Sequence, residues 1–226
     1  MKRITSLEKK YVEEVLKNQF KTSKNNIYNK KLEDAFSEKI KMPYSITHVN
    51  GTATMHTALA ALGIKEGDEV IVPPLTMSST SLCVLHNNSI PIFADVDKNT
   101  FNIDPKSINK LITKKTKAII TVALYGLSPE YNEILKICDE NNLFLIEDNA
   151  ESFLSTYHDK NVGTFGDFSS FSFQASKHLT TGEGGMLCAK NEEFANNARR
   201  FSSLGYGAID AKKGKISKSD IQNPEY

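Results

Sequence analysis

Three clusters in the sequence carry residue types that could do chemistry. The first is a lysine among hydroxyls and aromatics, Ser169-Ser170-Phe171-Ser172-Phe173-Gln174-Ala175-Ser176-Lys177-His178, followed by Thr180-Thr181-Gly182-Glu183-Gly184-Gly185. Such an amine attacks carbonyls when it is partly desolvated or set beside other cations. A lysine can equally lay its stem on apolar surface with its head in water. The second is Glu147-Asp148-Asn149-Ala150-Glu151, which ends an apolar run. Strand alternation sends Glu147 and Asp148 to opposite faces, although a helix cap with a solvated neighbour reads the same way. The third is Asn50-Gly51-Thr52-Ala53-Thr54, a small-residue turn whose free backbone N–H groups and Thr52 hydroxyl could receive a phosphate. A plain strand-to-helix turn would use the same residues. Turn chemistry alone explains Leu124-Tyr125-Gly126 and Pro73-Pro74-Leu75-Thr76.

The elements that must position these residues alternate after the first fifty positions. Thr5-x-x-Glu8 is a capping box that opens a helix to about Asn18. Lys21 to Lys30 reads as a loop, and Leu32, Phe36 and Ile40 mark one stripe of a second helix. Strands are expected at Tyr44 to Val49, Glu69 to Val72, Ile90 to Ala94, Ala118 to Val122, Leu143 to Ile146, Phe168 to Phe173 and Gly185 to Ala189. Helices are expected at Thr52 to Leu62 (stopped by Gly63), at Ser78 to Asn87, after Asp104-Pro105, at Glu130 to Asn141 after Ser128-Pro129, and from about Glu192. This rhythm predicts an α/β fold, three layers with a mostly parallel central sheet covered on both faces. Ligands bind beyond the carboxyl ends of such strands, which is where all three clusters fall.

Composition narrows the function classes. The 226 residues carry 28 Lys plus Arg against 27 Asp plus Glu, a net charge of +1, which gives no reason to expect nucleic acid or an anionic membrane surface as partner. At 39% hydrophobic and 24% charged, the chain has material for a sizeable core. No apolar run is long enough for a membrane helix, and Met1-Lys2-Arg3-Ile4-Thr5-Ser6-Leu7-Glu8 does not read as a secretory signal. Cys83, Cys138 and Cys188 fit neither a disulfide framework nor a metal clip, so a cytoplasmic setting and no metal are expected. Gly182-Glu183-Gly184-Gly185 lacks the G-x-G-x-x-G spacing of a dinucleotide site, which disfavours an oxidoreductase.

Phosphate turn, carboxylate and hydroxyl-flanked lysine on successive strands together match what pyridoxal 5'-phosphate demands. Its phosphate wants a helix N-terminus and hydroxyls, its ring nitrogen a carboxylate, and its aldehyde a lysine. Here the sequence resembles the sugar aminotransferases of the DegT/DnrJ/EryC1/StrS family, of the aspartate-aminotransferase-like fold, from about Ile4 to Gly207. The resemblance is carried by Asn50-Gly51-Thr52-Ala53-Thr54-Met55-His56, Gly63 to Pro73, Pro91-Ile92-Phe93-Ala94-Asp95-Val96-Asp97, Leu124-Tyr125-Gly126, Ile146 to Glu151, and Phe171-Ser172-Phe173 through Gly185.

The resemblance implies that Asp148 pairs with the pyridine nitrogen and that Ser172 binds the phosphate. Lys177 links to the aldehyde and moves the reaction's proton. Gly51, Thr52 and Ala53 line the phosphate cup, Glu151 sits near the cofactor's 3'-oxygen, and Met77 stands where many relatives stack an aromatic. It further implies a homodimer, glutamate as amino donor, and a nucleotide-linked 4-keto-6-deoxy sugar aminated at C4. Residues 1–210 then form the cofactor-binding large domain, with a helical segment at 1–43. Residues 211–226 form a loop toward a C-terminal small domain that this chain lacks. The alternative is a catalytically weak or inactive cofactor-binding or dimerisation domain of the same family.

Overall fold

The computed structural model describes residues 4–17 and 27–203. The capping box forms at the start of α1 (Ser6–Lys17): the Thr5 N–H donates to the Glu8 carboxylate at 2.6 Å, and the Thr5 hydroxyl accepts from the Leu7 N–H at 3.2 Å. α2 (Ile27–Ile40) begins inside the stretch expected as loop, so Ile27 to Lys30 are helical. The reason is that Tyr28 lies one turn ahead of Leu32, Phe36 and Ile40 and extends the same stripe. The rest of that expected loop, like the expected loop at 211–226, lies outside the described residues.

Beyond α2 the elements run β1 (Tyr44–His48), α3 (Gly51–Ala61), β2 (Glu69–Val72), α4 (Ser79–His86), β3 (Ile90–Phe93), α5 (Pro105–Leu111), β4 (Thr116–Val122), α6 (Tyr131–Asn141), β5 (Phe144–Asp148), β6 (Thr156–Tyr157), β7 (Lys160–Asn161), β8 (Phe168–Ser172), β9 (Gly185–Ala189) and α7 (Glu192–Ser202). Seven strands form one sheet in the order β1-β9-β8-β5-β4-β2-β3. From β8 to β3 neighbours are parallel, while β9 runs against both β8 and β1. The mostly parallel sheet expected from the alternation is therefore present.

Residue parity divides the core into two layers. Val70, Val72, Ile120, Ile146 and Phe168 face Met55, Leu59 and Val84 of α3 and α4. Their neighbours Ile71, Ile119 and Leu145 face Ile108, Tyr131 and Ile134 of α5 and α6. On that second face α2 covers the end of the sheet, with Phe36 edge-on to Phe171 at 5.0 Å.

Local chemistry sets most boundaries. Gly63 follows α3 with φ +73°, the left-handed conformation glycine tolerates. Asp104 caps α5 by accepting from the Lys106 N–H at 2.9 Å. Ser128-Pro129 does not repeat that device: α6 starts at Tyr131, and no side chain caps it. Packing fixes its start instead, since Tyr131 is fully buried with its ring stacked 4.4 Å from Phe165. β5 runs two residues further than expected because Glu147 and Asp148 themselves pair with β4 and β8. The β6–β7 hairpin was not anticipated; it turns through His158 and Asp159, both at positive φ.

β1 is an edge strand with two of its outer backbone groups occupied. The Thr47 N–H donates to Glu33 at 2.9 Å, and Arg199 donates to the Ser45 carbonyl at 3.1 Å while pairing with Glu33 at 2.7 Å. Among the described residues no helix is long and apolar enough to cross a membrane.

Candidate active site

The starts of α3 and α4, the end of β5 and the loop after β8 enclose a cavity of about 460 Å³. Gly51, Thr52, Met77, Asp148, Glu151, Ser172 and Lys177 all line it. Ala53 does not. Asn50 caps α3 by accepting the Ala53 N–H at 2.8 Å, and helical rotation turns Ala53 into a separate cleft beside β1. The N–H groups of Gly51 and Thr52 have no partner among the described residues.

Close packing holds this helix start against the sheet. A Cβ on Gly51 would stand 3.1 Å from the Ser172 Cβ, and one on Gly185 would stand 2.5 Å from the Asn50 carbonyl oxygen. Behind them the Thr54 hydroxyl bonds the Gly51 carbonyl at 2.6 Å and lies 2.5 Å from the Ser170 hydroxyl. The Ser172 hydroxyl accepts from the Gln174 N–H at 3.4 Å, which leaves its own proton for an anion.

Asp148 is 3% exposed. Its Oδ2 accepts from the Thr80 hydroxyl at 2.8 Å and its Oδ1 from the Ala150 N–H at 3.2 Å. Burial pushes this carboxyl above its ordinary value, while those two donors and the charge of Lys177 pull the other way. Glu147 projects from the opposite face, where its carboxylate accepts the N–H groups of Gly163, Phe165 and Gly166, each at 2.7 Å. Neither acid is a helix cap with a solvated neighbour.

Lys177 turns inward rather than snorkelling. Its Nζ lies 3.4 Å from Glu151 Oε1, the two side chains being 22% and 30% exposed. The other Glu151 oxygen accepts the Tyr125 N–H at 3.2 Å, so Leu124-Tyr125-Gly126 serves the site as well as the turn. Met77, 72% exposed, stands on the rim.

Sequence reasoning missed Thr80, although two threonines, Thr76 in the turn after a strand end and Thr80 in the first turn of the helix that follows, were a readable signal. It also missed Gln174 and Glu183 on the cavity wall.

This arrangement offers an anion site at a helix N-terminus, a buried carboxylate for a cation, and an amine for a carbonyl. It offers no activated thiolate: the cysteines are free and buried, and burial pushes Cys138 and Cys188 up to about 12. Among the described residues no group of three or more His, Cys, Asp or Glu could hold a metal ion.

Similarity to characterised proteins points the same way. The chain is 44% identical over 202 residues to GDP-perosamine synthase of Escherichia coli O157:H7, covering 89% of this chain and 55% of that protein. The solved aminotransferase of Psychrobacter cryohalolentis superposes with a TM-score of 0.86 at 32% identity, over 99% of this chain and 55% of that one. The pyridoxal phosphate form of a Streptococcus pneumoniae protein named as a sugar aminotransferase gives 0.80 at 27% identity, over 87% and 55%. The chain thus spans about half the length of these relatives.

The residues present fit pyridoxal phosphate, the cofactor of this group of enzymes. Two open N–H groups beside a serine hydroxyl suit its phosphate, and a buried carboxylate and an inward amine share the same cavity. The DegT/DnrJ/EryC1/StrS aminotransferase pattern matches residues 2–220, nearly end to end, and the chain belongs to that family.

Proposed function

We propose that this chain forms the cofactor-binding part of a homodimeric enzyme that moves an amino group from glutamate onto C4 of a nucleotide-linked keto-deoxy sugar. The observation that carries this reading is the convergence of Asp148, Lys177 and the open start of α3 on one cavity. Similarity to GDP-perosamine synthase supports the sugar-nucleotide class of acceptor.

When bound, pyridoxal phosphate supplies an aldehyde and an electron-withdrawing ring. The Gly51 and Thr52 N–H groups and the Ser172 hydroxyl hold its phosphate, helped by the positive end of the α3 dipole. Asp148 would take the ring nitrogen as its partner and keep that nitrogen protonated. The Lys177 amine would hold the aldehyde and would take and return a proton at the substrate carbon. Glu151, 3.4 Å from that amine, keeps it aimed inward and balances its charge. Met77, on the rim, would offer its thioether to the cofactor ring.

The test is to load the protein with pyridoxal phosphate, follow its absorption band on adding glutamate, and then add GDP- and dTDP-linked 4-keto-6-deoxy sugars. A band that glutamate bleaches and a keto sugar restores, with an amino sugar recovered by mass spectrometry, is expected. A band that ignores glutamate defeats the donor assignment, and a product carrying the amine at C3 defeats the regiochemistry.

A further inference from the structure

Thr80 is completely buried on the first turn of α4, yet its Oγ1 is 2.8 Å from Asp148 Oδ2 and 3.1 Å from Thr76 Oγ1. A threonine hydroxyl has one proton to give, and an ionised carboxylate has none. With Asp148 ionised, the Thr80 proton therefore points at Asp148, and the Thr76 proton points at Thr80. The two hydroxyls form a one-way chain from the cavity wall, which Thr76 lines, to the buried carboxylate. Each bond polarises the next, and the last is charge-assisted.

This chain sets how strongly Asp148 competes for a proton. A carboxylate buried without donors is a strong base; one with Oδ2 filled by a hydroxyl is a weaker one. On the proposed function, the ring nitrogen of pyridoxal phosphate shares a proton with Asp148, and the ring withdraws electrons well only while that proton stays on nitrogen. Resting on that reading, we infer that Thr80 is a positioning residue that keeps the shared proton on the cofactor's ring nitrogen, with Thr76 as the outer hydroxyl of the same chain. Thr80 acts through Asp148 and does not itself reach the cavity.

Thr80→Val removes the hydroxyl at similar shape, and Thr80→Ser puts it back. Parent and variants are loaded with pyridoxal phosphate carrying nitrogen-15 in its ring, and the ring-nitrogen chemical shift is read. The parent and Thr80→Ser are expected at the protonated position, and Thr80→Val displaced toward the unprotonated one. Its kcat is expected to fall about tenfold, with KM for the sugar within about twofold, the scale of one hydrogen bond to a charged group. An unmoved shift with cofactor bound to Thr80→Val overturns the role of Thr80 and leaves the proposed function standing. No bound-cofactor signal in the parent overturns both. If Thr80→Val does not fold, Thr76→Val is expected to displace the shift in the same direction by less, and an unmoved shift there overturns the chain of hydroxyls.

Discussion

On the face of the sheet covered by α6, Glu147 is fully buried and its carboxylate is filled by three backbone N–H groups from the Gly163–Gly166 turn. One residue later, on the face covered by α3 and α4, Asp148 is almost as buried but receives one hydroxyl and one N–H, and it borders a cavity that holds an amine. Burial raises both carboxyls. What separates them is acceptor capacity: Glu147 spends its on a loop of its own chain, whereas Asp148 keeps room for a partner from outside. Two acids of like environment thus divide into architecture and chemistry according to what their neighbours leave open.

The largest effect is expected where the cavity side acts alone. Lys177→Ala should abolish amino transfer, with no turnover above background in a coupled assay. Its melting temperature should stay within about 4 °C, since a partly exposed ion pair is worth about 1 kcal/mol or less. Residual turnover near the parent's level would remove Lys177 from the chemistry. Asp148→Asn comes next, with kcat lowered about hundredfold or more by loss of the charge facing the ring. A change under threefold would return Asp148 to the architectural class.

The same variant sharpens the comparison through pH. Asp148 has its ordinary value near 3.8, and burial lifts it in the fold. A group lifted in the fold binds its proton more tightly there, so its stabilising contribution is complete below the ordinary value and drains away as pH rises through the lifted one. Without cofactor, Asp148→Asn should therefore gain stability relative to the parent as pH climbs from about 4. Urea midpoints at a series of pH values measure this, and a flat difference would contradict the cost assigned to the buried charge.

Across the sheet, Glu147→Gln should destabilise by about 2–3 kcal/mol, because an amide N–H₂ is set against a backbone donor. The protein that still folds should keep most of its turnover. A catalytic loss larger than the stability loss would break the division between the two faces. Smallest of all, Ser172→Ala should weaken cofactor affinity about tenfold by loss of one hydrogen bond to a charged oxygen, measured by spectroscopic titration.

Sequence reading reached far along the sheet and less far into the loops. The alternation of apolar runs marked every strand of the main sheet, because burial on both faces leaves continuous apolar segments such as Val70 to Val72. Gly63 and Asp104 were legible because their roles are local. Ser128-Pro129 misled because a tertiary contact, Tyr131 on Phe165, fixes where α6 begins. That Asn50 takes the Ala53 N–H was not legible, because a short motif does not reveal which N–H its own cap will consume. Thr80 escaped because its partner is 68 positions away, a contact created only when α4 docks on β5.

The pair formed by Glu33 and Arg199 has a consequence for how copies of this protein meet. A stray peptide adding itself to β1 would need the very Thr47 N–H and Ser45 carbonyl that the pair already engages. It would have to displace two charged side chains only 13% and 29% exposed, and strand neither. That rim of the sheet is thereby guarded against fibril-like growth at high concentration, while the candidate cavity, built at the strand ends, stays free of the guard.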